Sequence, residues 1–412
     1  MSKENRDDRY TGQLLKGVRV IELSTYLAAP TAGRVLSEWG AEVIKVETLK
    51  GDVYRGHGPT MQMPITPFAN PNFDMHNSGK SFTGLNLRSE KGMECLHRLL
   101  ATADVFVTNN RLQALQQMHL TWEELHEKYP RLIYAHVLGY GDEGPLANKP
   151  GFDFTAFWAR SGLMRDIAPK DGPPVNGIVG AGDLVVSMGI LAGVCAALYK
   201  RQATGIGDKI STSLLQMATW INMSTLSSVH FGRQLPRSRS DPNQAANNCY
   251  ECRDGEWLWV GCLDYNLFPK LVTIVLERPD YLEDPRCVPR TSYLQHADEL
   301  TAEFDVIFKT RDREEWVQRL IKADIAHEKI QHFKDIETDP QVLANNYLFE
   351  HEYPDGTKAV FCPPPVHFDS IDHWKYDIRP AGPVGADNNR CLREVGYSEE
   401  EILQMRASGD IV

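Results

Sequence analysis

The sequence predicts an α/β protein with a mostly parallel sheet and a second, smaller α+β domain. Three observations support this fold class. Short apolar segments alternate with segments of helical periodicity over the first half of the chain, a pattern typical of parallel sheets. A polar, turn-rich stretch from Pro236 to Asn248 then interrupts this pattern. The length of 412 residues is also too great for one ordinary hydrophobic core.

The first elements predict a β-α-β unit. Val18 to Leu23 is a predicted strand, and Pro30 to Trp39 is a predicted helix that Gly40 ends. Further helices and strands follow at Glu42 to Val46, Gly92 to Thr102, Val105 to Thr108, Thr121 to Lys128 and Leu132 to Val137. Because ligands of parallel sheets bind outside the carboxyl ends of the strands, a site is expected in the loops that follow them.

An apolar helix from Leu184 to Tyr199 comes next and is expected to be buried, because it is hydrophobic on nearly all sides. Lys209 to Leu215 reads as a strand that runs into a helix. The smaller domain is predicted from a hairpin around Asp254-Gly255 and from three helices, Leu267 to Leu276, Ala297 to Phe308 and Arg313 to Ala323.

Composition excludes several classes of partner. The net charge of −11 argues against nucleic acid and against an anionic membrane surface. No apolar run predicts a membrane span, and residues 1–10 lack the apolar core of a signal peptide, so we expect a cytoplasmic protein. Cys249 and Cys252 form a C-x-x-C pair without a second pair to complete a zinc site. We therefore expect neither a metal nor a disulfide framework.

Familiar nucleotide-binding and catalytic motifs are missing. The turn from Ser24 to Pro30 lacks the G-x-G-x-x-G sequence, which disfavours NAD or FAD. No Walker A sequence and no G-x-S-x-G elbow occur, which disfavours an NTPase and an ordinary serine hydrolase.

Asp183 is the strongest candidate for a functional residue. It ends the segment Gly180-Ala-Gly-Asp183, just before the apolar helix, and a second motif, Pro150-Gly-Phe-Asp153, precedes it. Considered alone, Asp183 is best interpreted as a helix N-cap that accepts backbone N–H bonds. The same place also suits a nucleophile, because a helix N-terminus keeps a carboxylate ionised and the neighbouring small residues admit a substrate.

A series of motifs in a fixed order carries a family resemblance over Leu15 to Gln404. They are Leu15-KGVRVIEL-Ser24, Ala28-AP-Thr31, Gly40-AEVIKVE-Thr48, Gly51-DVYR, Asn77-SGK, Leu85-NLRSEKG, Ala103-DVFVTNN, Gly139-YGDEGP, Pro150-GFD, Gly182-Asp183, Thr204-GIGDKI and Gly396-YSEEEI. With these motifs the chain resembles the class III CoA-transferases, the family of formyl-CoA transferase, carnitine CoA-transferase and related acyl-CoA racemases.

The resemblance implies an architecture. The expected large domain is Rossmann-like and is built from residues 1–225 together with a returning segment, 336–412. The expected small domain spans residues 226–335. Two such chains would thread through each other as an interlocked homodimer.

The resemblance also implies a reaction. Asp183 falls at the family's catalytic aspartate, which forms a mixed anhydride with the donor acyl group and then an aspartyl-CoA thioester. Acyl-CoA and a free carboxylic acid would be the substrates. Because the covalent intermediates retain the energy of the thioester, no permanently bound cofactor, ATP or metal is required.

By position in the family, CoA would contact the loops at the strand ends. The residues expected to bind it are Tyr26, Leu27, Ala28, Thr48, Arg55, Asn77, Lys80, Asn109, Asn110, Arg111 and Met118. The sequence departs from formyl-CoA transferase at Gln117, which replaces an arginine, and Arg111 is a candidate to replace that phosphate contact.

The substrate and the racemase alternative can be weighed on a few residues. Racemases of this family carry a histidine where this chain has Phe152, so a proton relay across an α-carbon would lack one partner. The motifs are most similar to the branch that acts on 2-hydroxy acids such as phenyllactate and 2-hydroxyisocaproate. Phe154, Phe157 and Trp158 are interpreted equally well as an acyl-binding wall and as a core helix face. A carnitine-like or dicarboxylic acid, a racemase and a non-catalytic CoA-binding protein remain the alternatives.

Overall fold

The chain divides into two compact units. The computed structural model describes residues 13–240 and 242–412. The first unit comprises the described residues up to 163 together with 177–227 and 340–412, and the second comprises 164–176 and 228–339. Residues 164–176 therefore belong to the second unit, whereas the predicted boundaries place them in the large domain.

Helices and strands alternate along most of the first unit, and further strands and helices form the second unit. The strands are β1 (Arg19–Leu23), β2 (Glu42–Glu47), β3 (Ser81–Gly84), β4 (Val105–Thr108), β5 (Ile133–Leu138), β6 (Lys209–Ser213), β7 (Asn247–Glu251), β8 (Trp257–Gly261), β9 (His327–Lys329), β10 (Phe349–Glu352) and β11 (Lys358–Phe361). The helices are α1 (Ala28–Glu38), α2 (Pro71–Asn77), α3 (Glu90–Leu100), α4 (Leu112–Gln117), α5 (Trp122–Lys128), α6 (Leu163–Asp166), α7 (Ala181–Thr204), α8 (Leu214–Ile221), α9 (Met223–His230), α10 (Phe268–Lys270), α11 (Arg290–Gln295), α12 (Ala297–Phe308), α13 (Arg313–Ala323), α14 (Phe333–Ile336), α15 (Pro340–Ala344), α16 (Asn388–Glu394) and α17 (Glu399–Ser408). Two segments, Asp153–Ala159 and Leu271–Val275, form π-helical turns.

The central sheet of the first unit has six strands in the order β3-β2-β1-β4-β5-β6. Every neighbouring pair is parallel, which confirms the predicted α/β, Rossmann-like class. The chain runs outward from β1 on one side and from β4 on the other. A ligand crevice is expected where the strand order reverses, outside the carboxyl ends of β1 and β4.

Both faces of this sheet are covered. Val20 and Val43 point to a core that α1, α7 and α8 complete. Ile21 and Ile44, the next residues along the same strands, point to an opposite core that includes α3, α16 and α17. Successive side chains of a strand face opposite sides of the sheet, so two-sided burial explains the continuous apolar runs of these strands. The C-terminal helices α16 and α17 thus belong to the core of the first unit.

The second unit combines an antiparallel sheet with helices, as the predicted α+β class requires. Its strand order is β7-β8-β9, and β7 and β8 form the hairpin with Gly255 at a φ of 80° in the turn. Phe304 of α12 and Trp316 of α13 are buried in its core. Both helices have their predicted bounds, whereas β9 was not predicted.

A fully buried cluster of four charged side chains lies at the carboxyl end of β1 and β2. The Lys45 ammonium is 3.0 Å from Glu22 Oε1 and 3.1 Å from Asp52 Oδ2, and the Lys80 ammonium is 2.8 Å from Glu22 Oε2. Burial opposes ionisation of Glu22, yet the two ammonium groups hold its pKa below the usual range. Lys45 also donates to the Ser24 carbonyl at 2.9 Å, so the cluster fixes the loop that follows β1.

The Lys45→Met variant tests the energetic weight of this cluster. It leaves Asp52 buried without its ammonium partner, and we expect the free energy of unfolding to fall by about 3–5 kcal/mol. Urea titration followed by tryptophan fluorescence measures the loss. Lys200→Met is the control, because the Lys200–Asp208 pair is exposed and should contribute less than about 1 kcal/mol. Equal losses in the two variants would contradict the assignment.

Candidate active site

Asp183 is the third residue of α7 and is not its N-cap. The helix begins at Ala181, and Gly180 precedes it with a φ of 74°, in the left-handed region that favours glycine. The interpretation of Asp183 as an N-cap is therefore wrong, because the segment Ala181–Gly182 read as a loop is already helical. The Asp183 side chain is half-buried on the first turn.

Asp153 takes the capping role that the sequence suggested for Asp183. Its Oδ2 accepts a hydrogen bond of 2.8 Å from the Gly180 amide, and the side chain is buried. A Cβ at Gly182 would lie 2.2 Å from Asp153 Oδ1 and 2.3 Å from Cγ of Phe157, so this position has room only for glycine. A carboxylate far away in the sequence thus caps the start of the helix, and the Asp183 carboxylate is not needed as the cap.

The protonation of Asp183 differs from the expectation that a helix N-terminus keeps it ionised. Burial raises its pKa to about 7, and the negative charge of Asp153 acts in the same direction. The protonated form of Asp183 is therefore populated at a pH at which an ordinary aspartate is fully ionised. Burial also raises the pKa of Asp153, although the amides of Gly180 and Gly182 oppose that effect.

Four rings form an aromatic wall beside this turn: Tyr26, Tyr54, His57 and Phe152. Tyr26 meets the Phe152 ring edge-on at 5.3 Å, and Tyr54 stacks on His57 at 5.4 Å. Burial raises the pKa of the Tyr54 hydroxyl, and the charges of Asp183 and Asp52 add to the effect, which places Tyr54 within electrostatic reach of the candidate nucleophile. Phe152 is 51% exposed, so the aromatic wall has an open face.

Of the three aromatic residues suggested as an acyl wall, two pack in the protein interior. Phe157 is buried in the main core, and Trp158 packs where Gly177 leaves room for its indole. Phe154 is partly exposed. Sequence reasoning missed Phe152 as a wall residue and considered it only as the position of an absent histidine. Its place two residues before an aromatic helix face was the available signal.

An open groove of about 1060 Å³ lies at the carboxyl edge of the sheet. Three of the residues predicted to contact CoA line it, namely Thr48, Asn110 and Met118. Lys50 and Arg88 also line it and were missed. Arg88 belongs to the quoted motif Leu85-NLRSEKG and follows β3, a strand that was not predicted, so its place at this edge could not be read.

Several residues that were predicted to contact CoA are instead buried or paired with other side chains of the protein. Asn77 and Lys80 are fully buried, and Lys80 donates to Asn77 Oδ1 at 2.9 Å and pairs with Glu22. The structure therefore does not support the prediction that these two residues contact CoA, because neither has an accessible surface. Arg55 binds both oxygens of Glu47, at 2.7 and 2.8 Å.

The loop after β1 connects the groove with the first turn of α7. Ser24 and Thr25 line the groove, whereas Leu27 packs against Gly180, where a Cβ would lie 2.9 Å from Leu27 Cδ2. Asn109 binds the main chain of Thr25 through both ends of its amide, at 3.0 and 2.7 Å. Of the remaining predicted contacts, Ala28 is buried and Arg111 is exposed.

The described residues show neither a cluster of metal ligands nor more than one long apolar helix. Among residues 13–240 and 242–412, no group of three or more His, Cys, Asp or Glu side chains is arranged to hold a metal. In the same part of the chain, α7 alone is long and apolar enough to cross a membrane by length and composition, a test that a core helix also passes. Of its most apolar stretch 44% is buried, which is less than its sequence suggests.

Comparison with known proteins gives consistent matches over nearly the full chain. Residues 15–388 match the model of CoA-transferase family III. The chain is 37% identical over 395 residues to the (R)-2-hydroxy-4-methylpentanoate CoA-transferase of Clostridioides difficile, covering 96% of this chain and 98% of the relative. It is 34% identical over 403 residues to the cinnamoyl-CoA:phenyllactate CoA-transferase of Clostridium sporogenes, covering 97% of each. The crystal structure of a CAIB/BAIF family protein from Brucella suis superposes with a TM-score of 0.74 at 26% identity, covering 92% and 99% of the two chains.

The Gly182→Ala variant tests the close approach of Asp153 to α7. The added methyl group has to displace Asp153 or Phe157, and we expect a loss of about 1–3 kcal/mol in the free energy of unfolding. Gly189→Ala in the same helix is the control. Its new Cβ would meet only the flexible end of Met217 at 3.0 Å, and alanine favours the helix by up to about 1 kcal/mol. Thermal unfolding that ranks the two variants equally would sink this assignment.

Proposed function

This chain belongs to CoA-transferase family III, and we propose that Asp183 is its covalent nucleophile and a 2-hydroxy acid its acceptor. One observation carries the first part of the proposal. Because Asp153 binds the Gly180 amide, the Asp183 carboxylate does not serve as the helix cap. It lies half-buried on the first turn of α7. The loop Ser24–Leu27 leads from this turn to the groove at the strand ends.

The first half of the reaction loads Asp183 with coenzyme A. A carboxylate oxygen of Asp183 attacks the thioester carbonyl of the donor, the C–S bond breaks, and a mixed anhydride and CoA thiolate result. The thiolate then attacks the aspartyl carbonyl of the anhydride. The bond between the aspartyl carbonyl carbon and the bridging oxygen breaks, the donor acid leaves with that oxygen as its carboxylate, and Asp183 becomes a CoA thioester.

The second half reverses these steps on the acceptor. The acceptor carboxylate attacks the aspartyl thioester, which releases CoA thiolate and forms a new mixed anhydride. The thiolate attacks the acceptor's acyl carbonyl, and Asp183 leaves as its carboxylate. No proton is consumed overall, which suits a site whose nucleophile must be ionised at the start of each turnover. A carboxylate in a partly buried site has also lost some of its hydration and is therefore more nucleophilic.

We place CoA in the groove at the carboxyl edge of the sheet. Lys50 and Arg88 supply positive charge for its phosphates on a chain whose net charge is −11. Thr48, Asn110 and Met118 line the same groove. Of the predicted contacts in this loop, Tyr26 then belongs to the path of the pantetheine arm, between the groove and Asp183, whereas Leu27 and Ala28 are buried. Arg111, on the loop that follows β4, remains the candidate for the phosphate contact that Gln117 cannot make.

The aromatic wall supports an apolar acyl group. Its open face, at Phe152, adjoins the segment that holds Asp153. The two curated relatives are named for 2-hydroxy-4-methylpentanoate and for phenyllactate, a branched and an aromatic 2-hydroxy acid. We therefore propose that this chain accepts acids of that class. A dicarboxylic acceptor would place a second carboxylate against these rings, and a racemase would lack an imidazole at Phe152. A carnitine-like acceptor carries a quaternary ammonium, which aromatic rings attract, so only the names of the relatives argue against it.

The proposal includes an interlocked homodimer in the cytoplasm. Apolar side chains at the end of α8 and the start of α9 are exposed, among them Trp220, Ile221 and Met223. A patch of this kind is suited to a protein interface. All eight cysteines are free thiols, which agrees with a reducing compartment.

A panel of acyl-CoA thioesters tests the nucleophile and the acid class together. We expect branched and aryl acyl-CoAs to leave a CoA thioester on the Asp183 peptide, visible by mass spectrometry and converted by hydroxylamine to the hydroxamate. Dicarboxylic donors should react poorly. Asp183→Asn should give no adduct, whereas Asp166→Asn, at an exposed aspartate, should behave like the wild type. Transfer that persists in Asp183→Asn would refute the covalent role, and exchange of the α-proton without transfer would favour a racemase.

The raised pKa of Asp183 predicts a pH dependence with a definite sign. Attack requires the ionised carboxylate, so the rate of donor acylation should rise with pH around a midpoint of about 7 and fall about tenfold per unit well below it. The folded protein favours protonated Asp183, because its pKa lies above the ordinary value of 3.8. Stability from this group is therefore present at low pH and lost as the pH rises through about 7. Asp183→Asn should consequently melt at a higher temperature than the wild type at alkaline pH, and a lower melting temperature there would contradict the assignment.

A further inference from the structure

We propose that Asp153 is a positioning residue for the transfer reaction, whose carboxylate fixes the first turn of α7 and keeps the Asp183 carboxylate directed at the substrate. This inference rests on the proposed function, because it concerns the same nucleophile. It adds a second carboxylate to the site and gives the motif Pro150-Gly-Phe-Asp153 a role.

The geometry places Asp153 across the amides that open the helix. The first amides of an α-helix have no partner within the helix and need an acceptor from outside. Gly180, which occupies the capping position, has no side chain to supply one. Asp153 Oδ2 accepts from the Gly180 amide at 2.8 Å, and Oδ1 lies where a Cβ of Gly182 would approach it to 2.2 Å.

This arrangement frees the nucleophile. A carboxylate at the third helical position would otherwise fold back onto the exposed amides of its own turn. Since Asp153 satisfies the Gly180 amide, the Asp183 oxygens do not have to. The cap is also buried, with Asp153 only 5% exposed, so water does not compete with it.

The two carboxylates also interact electrostatically. Among the residues that the structure describes, two titratable groups interact electrostatically with Asp183. They are Asp153, on the segment Asp153–Ala159, and the Tyr54 hydroxyl, on the short helix Val53–Gly56. The charge of Asp153 raises the pKa of Asp183 and hence the basicity of the carboxylate that attacks the thioester. Removal of that charge should therefore move the midpoint of the pH profile to lower pH.

Asp153 also links the nucleophile to the aromatic wall. Phe152, the preceding residue, meets Tyr26 edge-on at 5.3 Å. A shift of the segment would therefore move the wall and the cap together. The position of the acyl group and the position of the nucleophile then depend on one short piece of chain.

The test is the pH profile of single-turnover acylation in Asp153→Asn. The amide keeps one acceptor for Gly180 but turns an N–H donor toward the Gly182 region, so the first turn should loosen. We expect the limiting rate at alkaline pH to fall about tenfold or more and the midpoint to move to lower pH. Thr155→Val is the matched control, because it removes the 2.9 Å bond from the Phe152 amide in the same segment without a change of charge. That control should keep the wild-type midpoint.

The outcomes separate the two proposals. If the wild type forms no adduct on Asp183, the proposed function fails. If the wild type forms the adduct and Asp153→Asn keeps both the wild-type midpoint and the wild-type rate, the positioning role alone is overturned. If Asp153→Asn does not fold, Asp153→Ser replaces it, since serine is small and neutral and introduces no N–H donor at this position. An unshifted midpoint in that variant would overturn the role in the same way.

Discussion

The hydrogen bond from the Gly180 amide to the Asp153 carboxylate is the interaction on which the site depends. A helix that opens with Gly180-Ala-Gly has no side chain of its own to bind its first amides. Asp153, 27 residues earlier, supplies the acceptor. The small residues that make this approach possible place no side chain of their own over the first turn of α7. Capping and access are therefore two results of one packing arrangement, and Asp183 benefits from both.

The ion cluster of Glu22, Lys45, Asp52 and Lys80 serves the neighbouring loops in a similar way. Loops at the carboxyl ends of strands are held by few main-chain bonds, so charged side chains from the strands fix them from below. Lys45 binds the Ser24 carbonyl, and Asp52 accepts from the Tyr54 amide at 3.0 Å. The four side chains pair with one another, although burial lowers the pKa of Lys80 to about 7. The cluster provides a rigid floor under a groove that is open to solvent.

The sequence predicts an element well where its hydrophobic periodicity matches its burial. It fails where the structure depends on a partner from a distant part of the chain. The strands at Val105–Thr108 and Ile133–Leu138 are apolar on both faces and could be predicted to within a residue. Ser81–Gly84 is short and half polar, so its place in the sheet is visible only through its neighbours. Lys80 and Asn77 are polar residues of a motif that was expected to bind a ligand. Nothing in the local sequence reveals that Lys80 forms an ion pair with the buried Glu22 of β1. The start of α7 was misplaced for the same reason, because its cap lies in another segment.

The protonation of Asp183 shows how stability and reactivity oppose each other in this site. A fully solvated aspartate would be ionised at neutral pH but would also be a weakly basic nucleophile and a good hydrogen-bond acceptor for water. Partial burial and the nearby charge of Asp153 raise its pKa, which makes the ionised form less stable and more reactive. The fold supplies this energy from packing elsewhere, chiefly the two-sided core of the sheet that carries α7. A carboxylate with a raised pKa has to stand on a rigid element, since a flexible turn would relax toward water and lose the raised pKa. The long helix α7, held at its first amide by Asp153, meets that requirement.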